Sequence, residues 1–102
     1  MNKFAVAAMA LALSSSFAYA DRSVDELYPK SCTMCHAQGV AGAPKTHDVA
    51  AWQPRLEAAG GIDGMVTIAK NGLNAMPPRG MCNDCTDAEF KELIEFMMKP
   101  AP

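Results

Sequence analysis

The chain has 102 residues, a formal net charge of −2, an apolar fraction of one half, and four cysteines, eight methionines and one tryptophan. A chain of this length forms one domain, near the size where an apolar core alone is only marginally stable. No basic excess favours nucleic acid, and no run of like charges suggests a solvated tail.

Residues 1–20 read as a secretory signal peptide. Lys3 supplies the positive start, Phe4 to Leu13 is uncharged and apolar, and Ala18-Tyr19-Ala20 has the small-residue form of a cleavage site before Asp21. The apolar run is shorter than the roughly 20 residues that span a bilayer. No later segment approaches that length, so no membrane span is expected after cleavage. The expected mature domain, 21–102, carries eight basic against eleven acidic side chains. Export also implies an oxidising compartment, which bears on how its cysteines are read.

Ser23-Val24-Asp25-Glu26 has the form of a capping box, so a first helix is expected to start at Ser23 and run into the cysteine motif. Pro29 predicts a kink or a late start, because it removes one hydrogen bond and crowds the carbonyl four residues back. Tyr28 shares a helical face with Cys32, facing either the bound group or another helix.

Cys32-Thr33-Met34-Cys35-His36 places two thiols and an imidazole at the spacing of a c-type haem attachment site. Cysteines three apart lie about one helical turn from each other, so both sulfurs can form thioethers along one porphyrin edge. His36 then falls under the iron as proximal ligand. The alternatives are a redox dithiol or half of a zinc site. Against zinc, 46 residues separate Cys35 from Cys82, where about 15–20 is usual for paired C-x-x-C sites.

Gly39 to Pro44 is a loop by composition. Its carbonyls can accept the second imidazole N–H of His36, and spacing points to Pro44. His47 is a possible sixth ligand but reads better as a surface or helix-start residue. Asp48 is expected to cap a short helix through Trp52, and Pro54 to open another that ends at Gly60-Gly61. The indole N–H of Trp52 needs a partner if buried; a haem propionate is one, plain core packing the other. Ile62, Met65, Val66 and Ala69 recur at helical spacing, predicting a helix over about Asp63–Lys70 with Asp63 as cap and Met65 as core filler.

Asn74 to Met81 reads as a stiff extended loop, since two prolines follow Met76 and exclude helix. A thioether at Met76, forty residues after His36, can close the far side of the iron and raise its potential. Met81 is the fallback. Cys82-Asn83-Asp84-Cys85 is followed by Thr86, so a second haem is not expected; a disulfide, a thiol redox centre or two zinc ligands remain, with the disulfide favoured by export. Thr86-Asp87-Ala88-Glu89 is a second capping box, opening a helix whose apolar stripe is Phe90, Leu93, Ile94 and Met97, with Glu92 and Glu95 solvated. Strand-period alternation is lacking, so the expected fold is all-α.

The motif at 32–36, the run Gly39 to Lys45, Trp52 with Pro54-Arg55, and Asn71 to Gly80 together resemble the bacterial cytochrome c5 group of class I c-type cytochromes. The likeness covers nearly all of 21–102, with Pro29 as the departure. It implies a small class I cytochrome c fold of four to five helices around one haem c, covalent through Cys32 and Cys35, with axial ligands His36 and Met76. It also implies a Cys82–Cys85 disulfide, the Pro44 carbonyl contact to His36, and a periplasmic one-electron carrier that is not an enzyme. Partners by family are a quinol-linked donor, and a terminal oxidase or cytochrome c peroxidase as acceptor. The chain itself is expected as a monomer or weak dimer. Lys45 and Arg79 flank the two ligand loops and are expected to form a basic docking rim. Were Met76 not bound to iron, a ligand-binding or peroxidase-like haem protein would be the alternative; a thiol oxidoreductase at Cys82 and Cys85 is a third class.

Overall fold

The computed structural model describes residues 21–102, so the signal-peptide reading of 1–20 lies outside the described residues. Among the described residues five α-helices follow one another: α1 (Val24–Leu27), α2 (Thr33–His36), α3 (Val49–Ala59), α4 (Ile62–Asn71) and α5 (Asp87–Met98). Short 3-10 turns lie at Tyr28–Lys30, Val40–Gly42 and Pro78–Met81. Among the described residues the only extended pairing is an isolated bridge between Leu73 and Met76. The fold is all-α.

The first expected helix is broken into pieces. Ser23 caps α1 by accepting the amide of Glu26, but Pro29 has no N–H to continue the ladder. The chain tightens into the Tyr28–Lys30 turn, leaves helical geometry at Ser31 (φ −136°, ψ −87°), and starts afresh as α2. Two expected helices are one: α3 runs through Pro54. Pro54 and Ala50 are both exposed, so water can satisfy the Ala50 carbonyl that the proline leaves without a helical partner. Asp63 is not a cap either. Gly61 occupies that position and Asp63 sits in the first turn of α4, where its charge suits the helix dipole. The α3–α4 corner is tight: a Cβ on Gly64 would lie 1.9 Å from the Ala59 carbonyl oxygen.

The core forms where α4 packs on α5 and α3 on α4. Met65, Val66 and Ala69 face Phe90, Leu93, Ile94 and Met97 within one buried cluster that also takes in Leu27 and Trp52. Tyr28 belongs to this packing rather than to the cavity: its ring meets Phe96 edge-on at 5.2 Å, and its hydroxyl hydrogen-bonds Thr46 Oγ1 at 2.7 Å.

A half-buried ion pair staples the start of the described chain to α5. The Arg22 amide and Nε donate to one Glu89 oxygen at 2.8 and 2.9 Å, and Nη2 donates to the other at 2.9 Å. Glu89 is only 3% exposed, and its capping-box bond from the Thr86 amide adds a further donor. The Arg22 side chain first, then the Thr86 amide, hold the Glu89 carboxyl at about 2 against burial, from an ordinary 4.5. A depressed carboxylate stabilises the fold above its unfolded pKa and loses that contribution as pH falls through the folded value. Chemical unfolding should therefore show stability dropping between about pH 4.5 and 2. The Glu89→Gln variant should flatten that slope; an unchanged slope would mean other carboxylates carry it.

Candidate functional site

The helices enclose a cavity of about 460 Å³, within the roughly 300–1,000 Å³ range of built ligand sites. Cys32, Cys35 and His36 line it from α2, Met65, Ile68 and Ala69 from α4, and Phe90, Leu93, Ile94 and Met97 from α5; the loop after α4 adds Met76 and Arg79. Apolar walls around one imidazole and two kinds of sulfur suit a flat hydrophobic group needing axial ligands.

His36 is buried, and its Nδ1 lies 2.8 Å from the Pro44 carbonyl oxygen. A carbonyl only accepts, so the ring donates from Nδ1 and its free lone pair is on Nε2. The His36 carbonyl is tied as well, accepting the Thr46 amide at 2.8 Å. Trp52 stacks on the imidazole with ring centroids 5.2 Å apart and planes 27° apart. Its Nε1–H donates to the Lys45 carbonyl at 2.8 Å. The buried indole, which also lines the cavity, thus has a partner for its N–H within the chain, besides the haem propionate that the sequence offered. Pro44 and Lys45 thus offer successive carbonyls, one to the His36 imidazole and one to the ring stacked on it. The sequence signal for this pairing was the single tryptophan following the Gly39–Pro44 loop.

Cys32 and Cys35 are free thiols, both half-buried. Burial pushes the Cys32 thiol up, opposed by the neighbouring Ser31 hydroxyl, whose oxygen lies 3.6 Å from Sγ. Ser31 is buried, and its single hydroxyl proton points mainly to the Leu27 carbonyl at 2.7 Å, so its contact to the sulfur is weak. Two unpaired thiols at the cavity wall, one turn apart and followed by an oriented imidazole, fit covalent attachment of a haem.

Met76 is gripped by its own backbone. Its amide donates to the Leu73 carbonyl at 2.9 Å and its carbonyl accepts the Leu73 amide at 3.0 Å. The loop passes so close to the end of α4 that a Cβ on Gly72 would come within 2.8 Å of the Met76 oxygen and the Pro78 nitrogen. The two prolines do not give a wholly extended loop: Pro77 is extended, but Pro78 opens a 3-10 turn. A proline needs no N–H at the first position of such a turn. Met81 also lines the cavity but is 58% exposed. His47 does not line it. Its Nδ1 donates to the Lys99 carbonyl at 2.8 Å and its ring meets Phe96 edge-on, so it fastens the end of α5.

Cys82 and Cys85 form a disulfide and are both buried. Arg79 turns towards it: Nη2 donates to the Cys85 carbonyl at 2.6 Å and the guanidinium lies 5.2 Å from the Phe90 ring centroid. The expected basic rim is therefore not formed by Arg79. Lys45 is exposed, with its stem lying along Gly39. The mouth of the cavity instead carries exposed Val40, Leu73 and Met81.

A helical shell around this open-mouthed cavity, with C-x-x-C-H on its wall, defines a class I c-type cytochrome. Residues 20–97 match the family described as cytochrome c oxidase, cbb3-type, subunit III. Cytochrome c5 of Ectopseudomonas mendocina is 50% identical over 76 residues, covering 74% of this chain and 87% of that protein. Cytochrome c5 of Azotobacter vinelandii is 49% identical, covering 74% and 92%. A chain in the crystal structure of an electron transfer complex of nitrite reductase with cytochrome c superposes with a TM-score of 0.63 at 40% identity, covering 72% of this chain and 88% of that one. The chain belongs to the cytochrome c5 family of class I c-type cytochromes.

Proposed function

We propose that this protein is a soluble, periplasmic one-electron carrier holding one haem c, covalent through Cys32 and Cys35, with His36 and Met76 as axial ligands. The observation that carries the reading is the His36–Pro44 hydrogen bond of 2.8 Å, which leaves Nε2 free beside two unpaired thiols. When bound, the haem supplies an iron that changes oxidation state by one electron.

The chain's residues tune and present that iron. The Pro44 carbonyl polarises the imidazole and makes it a stronger ligand. With haem bound, the Met76 thioether would favour the reduced state and would leave no open position for oxygen or peroxide, so catalysis on a small molecule is not expected. The apolar walls from α4 and α5 keep water away. Val40, Leu73 and Met81 at the mouth offer an apolar contact suited to brief docking, with interfaces below roughly 1,200 Å². A quinol-linked donor and a terminal oxidase or cytochrome c peroxidase are the partner classes; the similarity to a chain from a nitrite reductase complex adds such a reductase as a further acceptor.

The test is an optical spectrum of the matured protein, oxidised and reduced. A weak near-infrared band of methionine–iron ligation with sharp reduced bands is expected. A high-spin or bis-histidine spectrum would overturn the Met76 assignment and with it the closed-site argument.

A further inference from the structure

The loop that carries Met76 is held by a side chain whose role ligation alone does not explain. Arg79, Gly80 and Met81 are three consecutive residues with φ of 67°, 53° and 71°. Such a run favours glycine, and two of these residues are not glycine. A backbone of this kind persists only where surrounding contacts over-determine it.

Arg79 supplies those contacts. Its Nη2 reaches the Cys85 carbonyl at 2.6 Å, and its guanidinium packs against the Phe90 ring. Both anchors are fixed, Cys85 by its disulfide to Cys82 and Phe90 by burial in α5. The side chain is half-buried and lines the cavity. Its Nε is buried and finds no partner among the described residues, and none of the ion pairs among those residues includes Arg79. A fixed positive charge in a weakly polar wall favours an added electron nearby.

We propose that Arg79 is a positioning residue: it latches the methionine loop onto α5, and its charge raises the electron affinity of the cavity. This rests on the His36 and Met76 ligation proposed above. Unlike lysine, the guanidinium combines a planar stacking face with a directed N–H fork, so the latch and the charge are separable by substitution.

The experiment compares haem-loaded wild type with Arg79→Gln and Arg79→Lys, with far-ultraviolet circular dichroism to confirm the fold. Imidazole titrated against Met76 should bind the glutamine variant about ten- to a hundredfold more tightly, the factor a charge-assisted hydrogen bond is worth. The lysine variant should also bind imidazole more tightly, while its potential stays near wild type and that of the glutamine variant falls. Folded variants with wild-type imidazole affinity would overturn the latch, and an unchanged potential in Arg79→Gln would overturn the charge effect. If Arg79→Gln does not fold, the lysine variant alone decides the latch. Hydrogen exchange separates this inference from the ligation reading. The Met76 amide donates to the Leu73 carbonyl at 2.9 Å and should exchange at least about tenfold faster in either variant, whichever ligand the iron takes. A wild type without the methionine–iron band overturns the ligation reading, whereas unchanged Met76 amide exchange overturns the latch.

Discussion

Met76→His should lower the reduction potential by on the order of a few hundred millivolts, within the roughly 0.8 V over which axial ligands set haem potentials. Exchanging a thioether for a second imidazole would remove the proposed ligand that favours the reduced iron. Met76→Ala goes further by opening the position: its spectrum should turn high-spin, and it should bind imidazole far more tightly than the parent, in which the Met76 thioether competes, and bind peroxide that the parent excludes. The loop backbone should survive both changes, because the Leu73–Met76 bonds are made by main-chain atoms. Potentiometry and optical spectra check the pair. An unchanged potential in Met76→His would move the assignment to Met81, the other thioether on the cavity-lining loop.

Trp52→Ala should cost about 3–5 kcal/mol of folding stability. That is a large part of the roughly 5–15 kcal/mol typical of a domain, and in one this small should lower the melting temperature by well over 10 °C. Trp52 is 5% exposed, forms a wall against the His36 ring, and ties α3 to the Lys45 carbonyl. Trp52→Phe keeps an aromatic wall and removes the hydrogen bond, so it should cost about 1 kcal/mol beyond the loss of volume. Thermal and chemical unfolding of both variants separate the two contributions. Equal losses in both would place the stabilisation in the Lys45 bond rather than in the stacked ring.

The fold class and most helix boundaries were legible because they rest on local chemistry. The Thr86 capping box forms as the sequence suggests, with Glu89 returning to the Thr86 amide; the α5 stripe is buried at all four positions, and the α4 stripe at Met65, Val66 and Ala69, with Ile62 only half-buried. Pro44 was legible for a related reason: few carbonyls lie within reach of a histidine that opens a glycine-rich loop. Contacts set by tertiary approach were not legible. Arg22 meets Glu89 across 67 positions of sequence, and no local pattern marks either residue for the other. Arg79 reads as a surface cation beside two prolines until α5 brings Phe90 beneath it. Pro54 was misread because its cost depends on whether the orphaned carbonyl faces water, which the sequence does not state. The Trp52 donor needed a partner, but that the partner would be Lys45 depended on how the loop returns past His36.

The two C-x-x-C pairs have identical spacing and different fates, and the backbone sorts them. Cys32 has right-handed helical angles (φ −59°, ψ −32°) and Cys35 lies within α2. Helical neighbours three apart hold their Cβ atoms about 5–6 Å from each other, wider than the roughly 3.5–4.5 Å a disulfide needs. Cys82 is non-helical (φ −117°, ψ 85°) and stands in a turn before α5, where the closer approach is available. In the proposed periplasmic setting, winding the first pair into a helical turn would disfavour their closure on each other and leave two nucleophiles for the vinyl groups of the proposed haem. The second pair, released from that restraint, closes without competing for them.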